Sequence, residues 1–220
     1  GLPMALNFYE LLPFWHTFLS RLGFNVIVSP FSTRDLYTKG QHTIPSDTAC
    51  YPAKLVHGHI EWLLEQKPDF IFYPDMSYNI DEGLGLNHFN CPVVAYYPQV
   101  LKMNVPGLDE SNFICDFLSL ADKKQFAKRV RAVFAGHGLN FTAKEISLAA
   151  AAAYAEYDGY LSSIRKTAAE YVERARKEGK PVIVLAGRPY HVDPEINHGI
   201  HSLIAGMGAY VVSEDGLSDK

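Results

Sequence analysis

The chain has 220 residues, 48% of them hydrophobic, and a formal net charge of −4. This is the composition of a globular protein with one large domain or two small lobes; it offers no basic run for nucleic acid. Its longest apolar run, residues 148–155, is too short to cross a bilayer, the first residues do not read as a signal peptide, and three scattered cysteines do not make a disulfide framework, so a reducing, cytoplasmic setting is expected.

In chain order, residues 3–9 read as a short strand, and 10–22 carry Leu11, Phe14, Trp15, Phe18, Leu19 and Leu22 at helical spacing. Pro13 falls in the first turn of that helix and Gly23 sits where a helix-ending glycine belongs. The β-branched run 24–29 reads as a buried strand, completing a strand–helix–strand unit of a parallel sheet. A helix is expected over 54–64, strands over 69–73 and 92–96, and a polar loop over 77–90 between them. Helices follow over 120–135 and 142–178, the second opened by a Thr142/Glu145 capping box, closed by Gly179 and expected to bend near Gly159. A strand over 182–186, a helix over 195–207 and a strand over 209–213 end the pattern.

The fold class that follows is α/β: a Rossmann-like (flavodoxin-like) parallel-sheet lobe over 1–118, a helical connector over 119–179, and the start of a second, similar lobe over 180–220. Gly23-Phe24-Asn25-Val26 and Gly208-Ala209-Tyr210-Val211 fall in register between the two lobes, a weak architectural repeat that any two such units would share. A two-stranded parallel sheet does not cover its own faces. Further polypeptide or a partner chain is therefore expected to complete the second lobe, and its open edge makes a homodimer conceivable.

Cys50 lies at a loop-to-helix joint, where a helix N-terminus favours anions. Cys91 and Cys115 occupy other loop edges, and none of the three belongs to a CxxC pair, which argues against a structural zinc site. Cysteines that meet only in space suit an iron–sulfur cluster; buried, inert thiols are the plainer reading. Lys54 follows Cys50 by one helical turn and could balance an anion there, or simply be solvated. His57 and His59, two apart, point in different directions on a helix; with Gly58 between them they suit close packing at a polar interface. The polar, proline-pinned segment with Arg188, Tyr190, His191, Asp193, Glu195 and His198 follows a buried strand and reads as a site loop. No GxxxxGK[ST] is present, and the Gly83/Gly85 pair lies in a long loop, so nucleotide binding by those motifs is not supported.

Several of these segments together resemble a known family. They are Ala5-Leu6-Asn7 with Tyr9-Glu10 and Pro13-Phe14-Trp15; Ile44-Pro45-Ser46-Asp47 with Cys50-Tyr51-Pro52-Ala53-Lys54 and His57-Gly58-His59; Asp69 to Pro74; Asn90-Cys91-Pro92-Val93-Val94; and Gly187-Arg188-Pro189-Tyr190-His191 with Asp193 to Gly199. They look like the domain associated with 2-hydroxyacyl-CoA dehydratases and their activases, more narrowly the DUF2229 region of activase-related proteins. The resemblance implies Rossmann-like lobes with a cysteine-bound iron–sulfur cluster (4Fe-4S or related), fed one electron by an ATP-dependent activase domain or subunit, with an acyl-CoA as the substrate of such systems. It implies Cys50 and Cys91, and less firmly Cys115, as cluster ligands. Lys54, His57, His59, Arg188, Tyr190 and His191 are then expected around the cofactor, and this stretch alone is expected to be inactive. Met4 stands where the family more often has a basic residue. Two other readings remain: a cluster-free α/β module that binds a CoA-like ligand or a partner domain, and an enzyme using Cys50 as nucleophile with His57 or a distant histidine as base.

Overall fold

The computed structural model describes residues 1–81, 83 and 86–217; Gly85 of the glycine pair lies outside the described residues. The chain is mixed α/β and mostly helical, with two small parallel sheets. Its elements are α1 (Phe8–Arg21), α2 (Arg34–Gly40), α3 (Tyr51–Glu65), β1 (Ile71–Phe72), α4 (Pro92–Asn104), β2 (Phe113–Ile114), α5 (Lys123–Gly136), α6 (Ala143–Glu178), β3 (Val182–Leu185), α7 (Pro194–Asn197), α8 (Ile200–Gly206) and β4 (Tyr210–Ser213).

In the first sheet β1 pairs with β2, Ile71 opposite Phe113 and Phe72 opposite Ile114. Backbone bonds carry the pairing outward. Phe72 N–H donates to the Gly1 carbonyl at 2.9 Å, and Leu2 N–H donates to the Ile27 carbonyl at 2.8 Å. The hydrogen-bonded order is thus 27–29, 1–2, β1, β2, with Leu2 and Val28 forming a single parallel bridge. The core beside this sheet is aromatic. Trp15 lies 5.0 Å from Phe72, and Phe14 lies 4.8 Å from Tyr154 and 5.4 Å from Phe126, all ring centre to ring centre. These rings on α1, β1, α5 and α6 are almost wholly buried.

Four sequence expectations change. Residues 3–9 do not form a strand: the extended part shrinks to Leu2, and Leu6 turns the chain at φ +48° into α1. Residues 24–29 contribute one bridge at Val28 rather than a buried strand. Residues 92–96 open α4 instead of forming a strand. The Cys91 thiol accepts the Val94 N–H, Pro92 sits in the first turn, and Val94, Ala95, Tyr97, Pro98 and Leu101 repeat at helical spacing, which outweighs the β-branched pair. The helix expected over 195–207 splits into α7 and α8, because His198 and Gly199 are both left-handed, at φ +53° and +74°. The strand β2 was not foreseen. The Thr142 capping box and the left-handed Gly179 bound α6, which runs unbroken through Gly159.

Gly58 does allow close packing. A Cβ there would sit 1.9 Å from the Leu36 carbonyl oxygen, and one at Gly40 would sit 2.2 Å from the Gly58 nitrogen, so α2 and α3 meet backbone to backbone. In the second sheet β3 and β4 pair in parallel from Val182/Tyr210 to Leu185/Ser213. Ile183 and Val184 of β3 are 40% and 44% exposed.

Candidate functional site

Two of the three cysteines occupy the same structural position. Cys50 caps α3 with φ −64° and ψ 151°, and Cys91 caps α4 with φ −63° and ψ 153°; a proline follows within the first two helical residues in each case. Extended cap backbone and proline at the helix entrance leave a thiol beside the unpaired N–H groups of the first turn. Cys50 is exposed, Cys91 half-buried, and both thiols are free.

The Tyr190 phenol is raised first by burial, then by the negative charge that Cys91 and Cys50 would carry, and is lowered by Arg188. Two tyrosines that the sequence reading passed over also respond to these cysteines. Tyr73, just beyond β1, is fully buried, its hydroxyl has no hydrogen-bond partner among the described residues, and after burial its phenol is raised by Tyr97, Asp75 and Cys91. Tyr97 on α4 is pushed up to about 12 by burial and then by Cys50. Reading 92–96 as a strand hid Tyr97; the helical repeat from Cys91 through Val94 to Tyr97 was the signal that could have found it.

Cys115 lies apart. It is buried in the core beyond β2, and the Gln99 amide faces its carbonyl oxygen at 3.2 Å and its sulfur at 3.5 Å. Burial raises its thiol pKa. Among the described residues, no group of three His, Cys, Asp or Glu side chains is arranged to hold a metal ion. Gln99 also donates to Asp75 at 2.6 Å, and the other Asp75 carboxylate oxygen is buried without a hydrogen-bond partner among the described residues. Burial raises Asp75 to about 6.

The histidines are engaged by the protein itself. His57 is fully buried between Thr43 at 2.7 Å and the Tyr97 hydroxyl at 3.0 Å. Thr43 spends its own proton on the Gly40 carbonyl, so His57 Nδ1–H donates to Thr43 and Nε2 accepts from Tyr97. His59 lies between Ser29 at 2.7 Å and Ser32 at 2.9 Å. Burial lowers both imidazoles to about 4, leaving them neutral pins that tie the loops before α3 to the helix. Lys54 donates to the Asp47 carbonyl at 2.7 Å and closes the turn that presents Cys50.

The 188–198 segment docks over the start of α3. Asp193, fully buried, accepts from the Tyr9 hydroxyl and from the N–H groups of Glu195 and Ile196. Tyr51 donates to Glu195 at 2.6 Å and stacks near His198. His191 is exposed and packs on Gly187, where a Cβ would sit 1.8 Å from its ring. Arg188, also exposed, lines a different cleft of about 550 Å³ with Glu10, Asn79, Tyr157, Tyr160 and Glu214. Cys50 and Cys91 thus stand at matching helix entrances, Cys115 lies in the core, His191 packs on Gly187, and Arg188 lines the separate cleft.

A family model described as the CoA enzyme activase uncharacterised domain (DUF2229) matches residues 1–217, and the chain belongs to that family. No curated protein and no solved structure shows significant similarity to it. No helix among the described residues is long and apolar enough to cross a membrane.

Proposed function

We propose that this DUF2229 member is an iron–sulfur cluster-binding redox module of a 2-hydroxyacyl-CoA dehydratase/activase-related system, acting in the cytoplasm, with Cys50 and Cys91 as thiolate ligands. The observation that carries the reading is the matched placement of Cys50 and Cys91 as the cap residues of α3 and α4. A cluster with its thiolates is an anion, and helix N-termini favour negative charge. The fit is to two ligands from this chain. Cys115 is a core thiol, so the remaining ligands are assigned to a partner domain or subunit. When bound, such a cluster supplies low-potential one-electron transfer, driven in this reading by an ATP-dependent activase.

The chain's own part is to hold and shield. Lys54 and the Asp47 turn set the Cys50 thiol, while neutral His57 fixes the Tyr97 hydroxyl. Tyr73 offers a buried hydroxyl, without a partner among the described residues, that responds to charge on Cys91, and the Tyr190 phenol responds to charge on both thiols. The bonded order 27–29, 1–2, β1, β2 supports a small Rossmann-like sheet with this site beyond its carboxyl edge.

Anaerobic reconstitution with iron and sulfide, followed by metal and sulfide counts and electron paramagnetic resonance, tests the reading. With the partner domain or subunit present, specific uptake is expected in the parent and in Cys115→Ser, and lost in Cys50→Ser and Cys91→Ser. Equal uptake in all four, or none in the presence of the partner subunit, sinks it. One observation favours a second reading, a cluster-free module for a CoA-like ligand: the cleft beside Arg188 is the size of a small-ligand site. Calorimetric titration with CoA, weakened by Arg188→Ala in a protein that takes up no iron, would support that alternative.

A further inference from the structure

The helix α5 reads KKQFAKRVRAVFAG and carries five cations, Lys123, Lys124, Lys128, Arg129 and Arg131, with no carboxylate of its own. In a chain of net charge −4 that is a local reversal of sign. Phe126, Val130, Val133 and Phe134 turn inward. Lys124, Lys128, Arg131 and Ala135 recur at steps of four, three and four, which is one outward stripe of a helix. Alongside, α6 presents Ala143, Ser147 and Ala151 at steps of four. An open groove of about 670 Å³ runs between the two stripes, with Ala127, Ala132, Ala135, Ala143, Ala150 and Ala151 in its lining.

Two properties of this groove point the same way. Its alanines, several of them exposed, leave room for another helix axis at about 8 Å, the close end of the usual helix packing range. Three of its cations carry no ion pair among the described residues. Arg129 reaches Asp116 at 3.6 Å, and Lys123 lies over the Tyr154 ring at 4.6 Å. Lys124, Lys128 and Arg131 pair with no carboxylate among the described residues. An apolar floor beside an unneutralised basic rim is complementary to one kind of surface. We propose that the α5–α6 groove docks an acidic amphipathic helix of a partner protein. Small apolar residues of that helix lie on the alanine floor, and its carboxylates, repeating every three or four residues, face Lys124, Lys128 and Arg131. At 14 residues, α5 offers about 21 Å of contact, or four turns of such a helix. This interface is independent of the cysteine site.

The probes are two fluorescein-labelled amphipathic helical peptides of about five turns. Both share an alanine–leucine stripe; one is flanked by glutamates, the other by lysines. Fluorescence anisotropy should show the glutamate peptide binding and the lysine peptide not, with affinity falling as salt rises. The triple variant Lys124→Glu, Lys128→Glu, Arg131→Glu should weaken binding about tenfold or more at low salt, and Ala151→Phe should weaken it without any change of charge. All four positions are surface groups or groove lining, so circular dichroism should report an unchanged fold. Failure of the glutamate peptide to bind, equal binding of both peptides, or indifference to both variants overturns the proposal. So does binding of inorganic tripolyphosphate through these residues in place of the glutamate peptide, which would make the groove a site for a free anion. A dimer that Ala151→Phe dissociates would place a second copy there, with the same consequence.

Discussion

The two parallel sheets start from similar strand–helix–strand patterns and end in different surroundings. Around the first, Leu2, Ile71, Phe72, Phe113 and Ile114 are at most 2% exposed, because α1 and α5 bring Trp15, Phe14, Phe18, Phe126 and Phe134 against it. In the second, β3 has the longer and better-paired ladder, yet Ile183 and Val184 are exposed by about two fifths, and Ile200, Leu203 and Met207 beside it are open. The regularity of a strand is therefore a poor guide to its burial. Burial depends on which helices lie over the sheet.

The sharpest way to break this comparison is a pair of truncations. Phe72→Ala removes a ring wedged between Trp15 and Phe134 and should cost about 3–5 kcal/mol in urea unfolding. Val184→Ala in the open sheet should stay within about 1 kcal/mol. Equal losses would show that the second sheet is as well packed as the first.

A smaller effect is expected at the α2–α3 crossing. Alanine is favoured over glycine in a helix interior by about 1 kcal/mol, but a Cβ at Gly58 would lie 1.9 Å from a backbone oxygen. The clash should win, leaving Gly58→Ala about 1–3 kcal/mol less stable by the same measurement. A stabilised variant would show that the two helices do not meet as described.

The buried histidines make the first sheet's surroundings pH-sensitive. His57 and His59 fall from 6.5 to about 4 on folding, so below 6.5 the unfolded chain binds more protons than the folded one. Their stabilisation is complete above about pH 6.5 and is lost as pH falls toward 4. Asp75, raised from 3.8 to about 6, works the other way across much of the same range, since its folded carboxyl keeps a proton that the unfolded one releases. Two groups outweigh one, and the urea midpoint should fall from pH 7 to pH 5, with a flatter profile in His59→Gln. A midpoint that rises on acidification would contradict the neutral histidine pins. At the small end, Thr142→Ala removes one half of the capping box and should cost about 1 kcal/mol.

Much of the helical skeleton was legible. Leu11, Phe14, Trp15, Phe18 and Leu19 announced α1, and Thr142 with Glu145 and Gly179 bounded α6, because these signals are local. The errors fell where a short apolar run fits either period. Pro92-Val93-Val94-Ala95-Tyr96 looked extended until the residues after it continued as a helix. The sheet shrank for a related reason. Strands of two residues carry no alternation to detect, and β2 left no mark of its own in the sequence.

The sequence by itself determined the α/β class, the helices α1, α3, α5 and α6, the caps of α6, and the residue types available at the candidate site. It placed Cys50 and Cys91 at the entrances of ordered elements, since proline and the apolar repeat that follow are neighbours in the chain. Only the tertiary structure decided that Cys50 and Cys91 stay at open helix entrances while Cys115 turns into the core, and that His57 and His59 are bound by hydroxyls from the preceding loops. Those hydrogen bonds join residues 14 and 30 positions apart. Which of them form depends on how α3, α4 and the 188–198 segment are stacked, and no local periodicity encodes that stacking.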